Sequence, residues 1–172
     1  MSVNHIGITG HRPNFFRDAE KTKELCDSLV LNMLKEYDHP IFNLGGCAGA
    51  DQWVGNACIK YNIEFNLFLP FPAEIQSKYW YKDQQEALEN QIKHCKGLVI
   101  AGPKYKPANF FIRNRSIVDN SDFLVCFWEG MHRGGTYDCI KYAVQKKSKI
   151  VLNALTDLSM VTGEELILPK KQ

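Results

Sequence analysis

The chain lacks the features that would carry it into or across a membrane. No apolar run approaches the roughly 20 residues that span a bilayer. The start, Met1-Ser2-Val3-Asn4-His5, has no basic segment ahead of an apolar one, so neither a transmembrane helix nor a signal peptide is expected. Charge of one sign is also lacking. Lys and Arg number 21 against 19 Asp and Glu, a formal net charge of +2, far from the basic footprint of a dedicated nucleic-acid binder. No C-x-x-C pair occurs and no His stands at a zinc-finger offset from a Cys pair, so no metal site is expected. Without an export signal, the six cysteines Cys26, Cys47, Cys58, Cys95, Cys126 and Cys139 read as reduced core thiols of a cytoplasmic protein.

Familiar catalytic signatures are missing too. There is no G-x-x-x-x-G-K-[ST] and no G-x-G-x-x-G after the first apolar run, which argues against a P-loop kinase or an NAD dehydrogenase. G-x-S-x-G and H-E-x-x-H are likewise absent, which removes the common hydrolase elbow and the zincin motif. No cofactor is implied.

What is present is enough for a substantial core. The 172 residues are 45% apolar, with ten Phe, seven Tyr and three Trp, a composition that excludes intrinsic disorder. Strand-like and helix-like segments alternate along the whole length. Strands are expected at 3–9, 41–44, 64–69, 97–101, 123–128 and 149–152. The intervening helices are expected over 18–37, from Asp51, from a cap at Asp83, over 109–120, and around Ile140, Ala143 and Val144. The run Phe123-Leu-Val-Cys-Phe-Trp128 is apolar throughout, as a central strand covered on both faces must be. The expected fold is α/β: a single Rossmann-like domain over 1–172, with a mostly parallel sheet of about six or seven strands and helices on both faces.

In such a sheet, ligands sit beyond the carboxyl ends of the strands, and the glycines gather there. They occur in Gly7-Ile-Thr9-Gly10-His11-Arg12-Pro13, in Gly45-Gly46-Cys-Ala-Gly49-Ala-Asp51 and in Gly130-Met-His-Arg133-Gly134-Gly135-Thr136. Glycine allows close backbone approach, so free N–H groups at a helix start can face an anion. Each loop alone could simply end a strand. Three together, with Arg12 and Arg133 inside them, favour a phosphate-type ligand. Arg113-Asn114-Arg115 reads either as a solvated basic face or as a bidentate phosphate grip. The stretch from Phe71 to Gln85, with Tyr79, Trp80 and Tyr81, reads either as a base-stacking loop or as aromatics tucked onto the sheet edge. Phe110-Phe111, read as uncovered rings, hint at self-association.

Gly45-Gly-Cys-Ala-Gly-Ala-Asp51, Arg113-Asn114, Ser121-Asp122 and Gly134-Gly135-Thr136, in that order, resemble the SLOG superfamily. That group includes the Rossmann-like domain of the DNA-processing protein DprA and the LOG nucleotide phosphoribohydrolases. The nearest likeness is to its small stand-alone YpsA-like members, whose pattern also has Thr9-Gly10-x-x-Pro13 and Pro70-Phe71 followed by Trp80. It covers about Ile6 to Val151. The resemblance implies a nucleotide or nucleotide-derived ligand held by Thr9, Gly10, His11, Arg12, Gly45, Gly46, Gly49, Asp51, Arg113, Asn114, Gly134, Gly135 and Thr136. Arg113 would balance most of the phosphate charge, with Arg12 second, and Asp51 would lie near the ribose or orient its loop.

LOG enzymes carry Gly-Gly-x-Gly-Thr-x-x-Glu, and at the Glu position this sequence has Cys139. Cleavage of an N-glycosidic bond needs a carboxylate, for which Asp51, Glu74, Glu129 and Asp138 are the candidates. The expected function is nucleotide binding, with or without cleavage or transfer at the N-glycosidic bond of a nucleoside monophosphate. The alternatives are a non-catalytic nucleotide sensor and a DprA-like single-stranded DNA binder. The near-neutral charge argues against nucleic acid, because backbone binding draws on many Lys and Arg contacts. Lys146, Lys147 and Lys149, with Lys170 and Lys171, read as solvated surface. A small molecule is the expected partner, with self-association the other.

Overall fold

A computed structural model describes residues 4–167, which leaves Val3, Lys170 and Lys171 outside the described residues. Seven strands form one sheet: β1 (Asn4–Gly10), β2 (Pro40–Leu44), β3 (Phe65–Leu69), β4 (Gly97–Ile100), β5 (Phe123–Phe127), β6 (Val151–Asn153) and β7 (Ser159–Met160). Their order is β4-β3-β2-β1-β5-β6-β7. Every pairing is parallel except β6 with β7. Six helices connect the strands: α1 (Ala19–Glu36), α2 (Ala50–Lys60), α3 (Ala73–Gln76), α4 (Lys82–His94), α5 (Ala108–Asp119) and α6 (Gly135–Lys141). A π-turn, Tyr142–Lys146, extends α6. The architecture is a Rossmann-like α/β fold.

Strand periodicity sorts side chains to two faces. In β5, Val125 and Phe127 join a core with Cys26, Val30 and Met33 of α1, Val54 and Cys58 of α2, and Leu88 of α4. Leu124, Cys126 and Trp128 point the other way, onto Ile117 and Val118 of α5 and Tyr137, Cys139 and Ile140 of α6. The continuous apolar run therefore does mark a strand covered on both sides.

On that second face, the middle of the sheet is polar and small. Asn43 Nδ2 donates to Ser121 Oγ at 3.0 Å, and Asn66 Nδ2 donates to Asn43 Oδ1 at 3.1 Å. A Cβ on Gly7 would lie 2.7 Å from Ser121 Oγ, so α5 and the start of β5 sit close over β1. Asp122 Oδ2 accepts the His5 N–H at 2.8 Å and pins the same join.

One helix boundary and one strand boundary differ from the sequence reading. Asp18 does cap α1, accepting the Lys21 N–H at 3.1 Å. Asp83 does not cap α4. It lies within the first turn, and Tyr81 occupies the cap position, with its N–H donated to Gln84 Oε1 at 3.3 Å. An acidic side chain inside the first turn still favours the helix through its dipole. The last apolar run also pairs later than expected, from Val151, because the Lys149 main-chain N–H is spent on the Ala143 carbonyl at 2.9 Å. β4 is an edge strand, and Leu98, Val99 and Ile100 are all exposed.

Candidate functional site

The strand order reverses between β1 and β5, neighbours in the sheet but far apart in sequence. Loops leaving such a pair diverge and open a crevice at the strand ends. Here that crevice is a cleft of about 630 Å³. Of the residues expected to bind a ligand, Thr9, Gly10, His11, Arg12, Asp51, Arg113, Asn114, Gly134, Gly135 and Thr136 line it. Asp138 lines it too.

Gly45, Gly46 and Gly49 do not line the cleft; they form its frame. A Cβ on Gly49 (φ +102°) would meet the His11 carbonyl oxygen and lie 2.9 Å from Arg12 Cα. Only glycine lets the second loop lie this close against the first. Ala50 N–H donates to the His11 carbonyl at 3.4 Å and fastens the two loops. From behind, Gln76 Nε2 reaches the Gly45 carbonyl and Gln52 Nε2 the Gly46 carbonyl, each at 3.4 Å.

Arg113 lines the cleft. It is buried, and its guanidinium is engaged by the protein itself. Nη1 donates to the Gly45 carbonyl at 2.7 Å and to Phe68 at 3.4 Å, Nε donates to Asn114 Oδ1 at 2.8 Å, and Nη2 lies 3.6 Å from Cys47 Sγ. Most of the five N–H donors are therefore taken. Arg113 is a fixed positive charge in the cleft floor. Arg115, two residues on, leaves the cleft altogether and lies over the Tyr142 ring at 5.4 Å.

Asp51 faces the same floor. Its Oδ1 is buried without a hydrogen-bond partner. Burial pushes the carboxyl up to about 6, against the Arg113 charge and the Cys47 main-chain N–H, which both hold it down. An unpartnered buried acceptor is costly and calls for a donor. His11, beside it on β1's loop, is also buried. The Glu129 N–H donates to its Nε2 at 3.0 Å, which places the ring proton on Nδ1. Desolvation lowers its pKa, opposed by the Glu129 charge, and so favours the neutral ring.

Two of the four candidate carboxylates are elsewhere. Glu74 is exposed on α3, and Glu129 is tied to Arg17 with Nε to Oε2 at 3.1 Å. Neither lines the cleft. Cys139, at the position of the missing Glu, is buried. Desolvation pushes its thiol up to about 12, although the Thr9 hydroxyl and Arg113 both oppose this.

The start of α6 also borders the cleft. Gly134 (φ +89°) caps the helix, and the first intrahelical bond is Asp138 N–H to the Gly134 carbonyl at 3.0 Å. The amides of Gly135, Thr136 and Tyr137 precede it and have no partner within the helix. Arg12 and Arg133 flank the mouth; both are exposed and neither is ion-paired among the described residues.

The aromatic reading needs correction. Tyr79 and Tyr81 are 89% and 78% exposed and lie outside the cleft, while Trp80 packs onto the core. The rings in the cleft are Phe15, Phe110 and Phe111. Phe110 is not uncovered: it packs edge-on against Phe71 with centroids 5.3 Å apart. Phe15 stands three residues after Arg12, just past the first glycine loop. Cys47, inside the second glycine loop, also lines the cleft.

Among the described residues, no group of three or more His, Cys, Asp or Glu could hold a metal, and no helix is long and apolar enough to cross a membrane. Of the basic residues near the C-terminal half, Lys147 pairs with Asp119 at 3.4 Å.

No family model matches the chain. It is 22% identical over 138 residues to an uncharacterized SPbeta prophage-derived protein, YoqJ, of Bacillus subtilis (strain 168), covering 72% of this chain and 80% of that protein. The structure of DNA processing protein A (DprA) from Streptococcus pneumoniae superposes with a TM-score of 0.66 at 12% identity, over 87% of this chain. This chain spans only 50% of that one. The molybdenum cofactor carrier protein of Chlamydomonas reinhardtii superposes with a TM-score of 0.58 at 17% identity, over 88% of this chain and 76% of that one. At these identities the likeness is one of fold, and it includes DprA, a member of the superfamily that the motifs resemble.

Proposed function

We propose that the chain is a single domain of the SLOG type, with YpsA-like proteins as its nearest likeness, that binds a nucleotide or nucleotide-derived molecule in the cleft between β1 and β5. One observation carries this reading: the Arg12 loop, the Arg133 loop and the free amides at the start of α6 face one cavity, with the Arg113 charge in its floor. Anions are held by such amides and by guanidinium groups without further machinery. The phosphate lies at Gly134, Gly135 and Thr136, within reach of Arg12 and Arg133. The sugar lies toward Thr9, His11 and Asp51, where a sugar hydroxyl donates to Asp51 Oδ1 the hydrogen bond it otherwise lacks. Neither a cofactor nor a metal has a part, and the setting is the cytoplasm.

A thermal-shift screen against a nucleotide panel, read together with mass spectrometry, tests this reading. A ligand that binds only the folded state raises its melting temperature. No shift from any nucleotide or sugar phosphate at millimolar concentration would end it.

Turnover is a second reading, favoured by Asp51 itself. A carboxyl near 6 in a cleft can pass a proton to a departing base or, once ionised, stabilise an oxocarbenium-like centre. Asp138 is the other carboxylate that lines the cleft. Free base released in the same tube, and lost in Asp51→Asn while binding persists, is the expected sign. Single-stranded DNA is disfavoured by the net charge of +2 and by the commitment of Lys147 and Lys149 to internal partners.

A further inference from the structure

The cleft is lined by two chemically distinct sets of residues. Asp51, Arg113, Thr136 and the glycine amides make up a polar set, and Phe15, Phe111 and Met131 an apolar one. A molecule that was only a sugar phosphate would satisfy the first set and leave the second wet.

Phe15 is held there by its local sequence. Pro13 opens a single 3₁₀ turn, Pro13–Phe15, closed by Phe15 N–H to the Arg12 carbonyl at 3.0 Å and Phe16 N–H to the Pro13 carbonyl at 3.3 Å. Phe16 turns inward, with ring centroids 5.5 Å from His11 and 5.7 Å from Trp53. The chain thereby anchors one phenylalanine in the core, and its neighbour Phe15 is left 50% exposed at the cleft.

Helix α5 repeats the arrangement. Phe110 is fixed between Phe71 and the Arg113 guanidinium, whose carbon lies 5.8 Å from its centroid. Phe111 follows it, 47% exposed, and also lines the cleft. Each exposed ring thus sits beside an anchored one, on an element whose backbone is fixed. Half-exposed rings in a concave site fit a flat apolar partner, because stacking recovers both the buried area and the quadrupole contact.

We infer that Phe15 and Phe111 form the subsite for a planar heteroaromatic ring, so that the ligand joins a base-like ring to the phosphate held at α6. This inference rests on the phosphate site proposed above. It assigns the ring end to the β1–α1 turn and α5. Stacking reads the face of a ring and not its edge, so purine ligands of different edge chemistry bind alike at these two residues.

Calorimetric titration with AMP, GMP and ribose 5-phosphate tests the subsite, using the full chain, Phe15→Ala, Phe111→Ala and Phe15→Leu. Removing a stacked ring is expected to weaken AMP and GMP by about 5- to 100-fold per substitution, and Phe15→Leu by less. Ribose 5-phosphate, which has no ring to stack, should bind all four proteins equally. Unchanged melting temperatures without ligand verify that the variants fold. If the parent protein binds ribose 5-phosphate as tightly as AMP, the stacking subsite is wrong while the phosphate site stands. If it binds neither, both readings fall. Equal losses for AMP and ribose 5-phosphate in the alanine variants would mean that the rings only shape the cleft.

Discussion

The Arg113 guanidinium reaches 68 residues back along the chain to hold the Gly45 carbonyl, Nη1 to O at 2.7 Å. This bond joins α5 to the loop after β2 and makes the charge part of the frame. Arg113→Ala leaves the carbonyls of Gly45 and Phe68 short of donors in a buried place, at a cost of about 2–4 kcal/mol. For a chain of this size, that lowers the melting temperature by roughly 5–15 °C. Arg113→Lys recovers part of the loss, since one ammonium cannot reach Gly45, Phe68 and Asn114 together. Chemical denaturation of both variants measures it; stability equal to the parent protein's would mean that the guanidinium is not structural.

Asp51 gives the fold a pH dependence of unusual sign. Its carboxyl rises from an ordinary 3.8 to about 6 on folding. Between these values the folded state holds the proton and the unfolded state does not, so this group's contribution to stability is lost as pH rises from about 4 to about 6. The difference is about 3 kcal/mol. Asp51→Asn has no such titration. Relative to the parent protein, it should gain that amount between pH 4 and pH 7, whatever its offset at a single pH. Parallel urea curves for the two proteins across this range would refute the assignment.

Arg12 and Arg133 are the exposed cations of the proposed anion site. Both are exposed at the cleft, and neither is ion-paired among the described residues. Replacing either with Ala should weaken AMP by roughly 10- to 100-fold, the value of one charge-assisted hydrogen bond. The unliganded melting temperature should stay within a degree or two. Lys147→Ala, outside the cleft, should leave the affinity unchanged. Equal effects from all three would show that binding follows overall charge and not this site.

The cysteines offer a probe of the cleft. Cys26, Cys58, Cys126 and Cys139 are buried, whereas Cys47 and Cys95 are partly open. Alkylation under native conditions, mapped by peptide mass spectrometry, should mark Cys47 and Cys95 first. A bound nucleotide should then protect Cys47, which lines the cleft, and leave the Cys95 rate unchanged. Equal protection of both thiols would point to a global tightening and not to occupancy of the cleft.

The order of elements was legible because each segment's apolar period depends only on which faces are buried. Phe123 to Trp128 alternates between two cores, and the helix faces at Cys26, Val30 and Met33 and at Val54 and Cys58 keep their three-four spacing. The three glycine loops were equally plain, as glycine marks positions where a backbone must turn or approach another closely. Other matters rest on distance through space, which linear spacing does not carry. Whether Arg113 points at a ligand or at Gly45, whether Glu129 is free or tied to Arg17, and whether Tyr79 or Phe15 enters the cleft were all decided by packing. Asp51 looked in sequence like any acidic residue opening a helix. Its burial beside Arg113, with one oxygen unpartnered, arises only when α5 closes over the sheet, because desolvation is a property of the assembled surroundings and not of the residue.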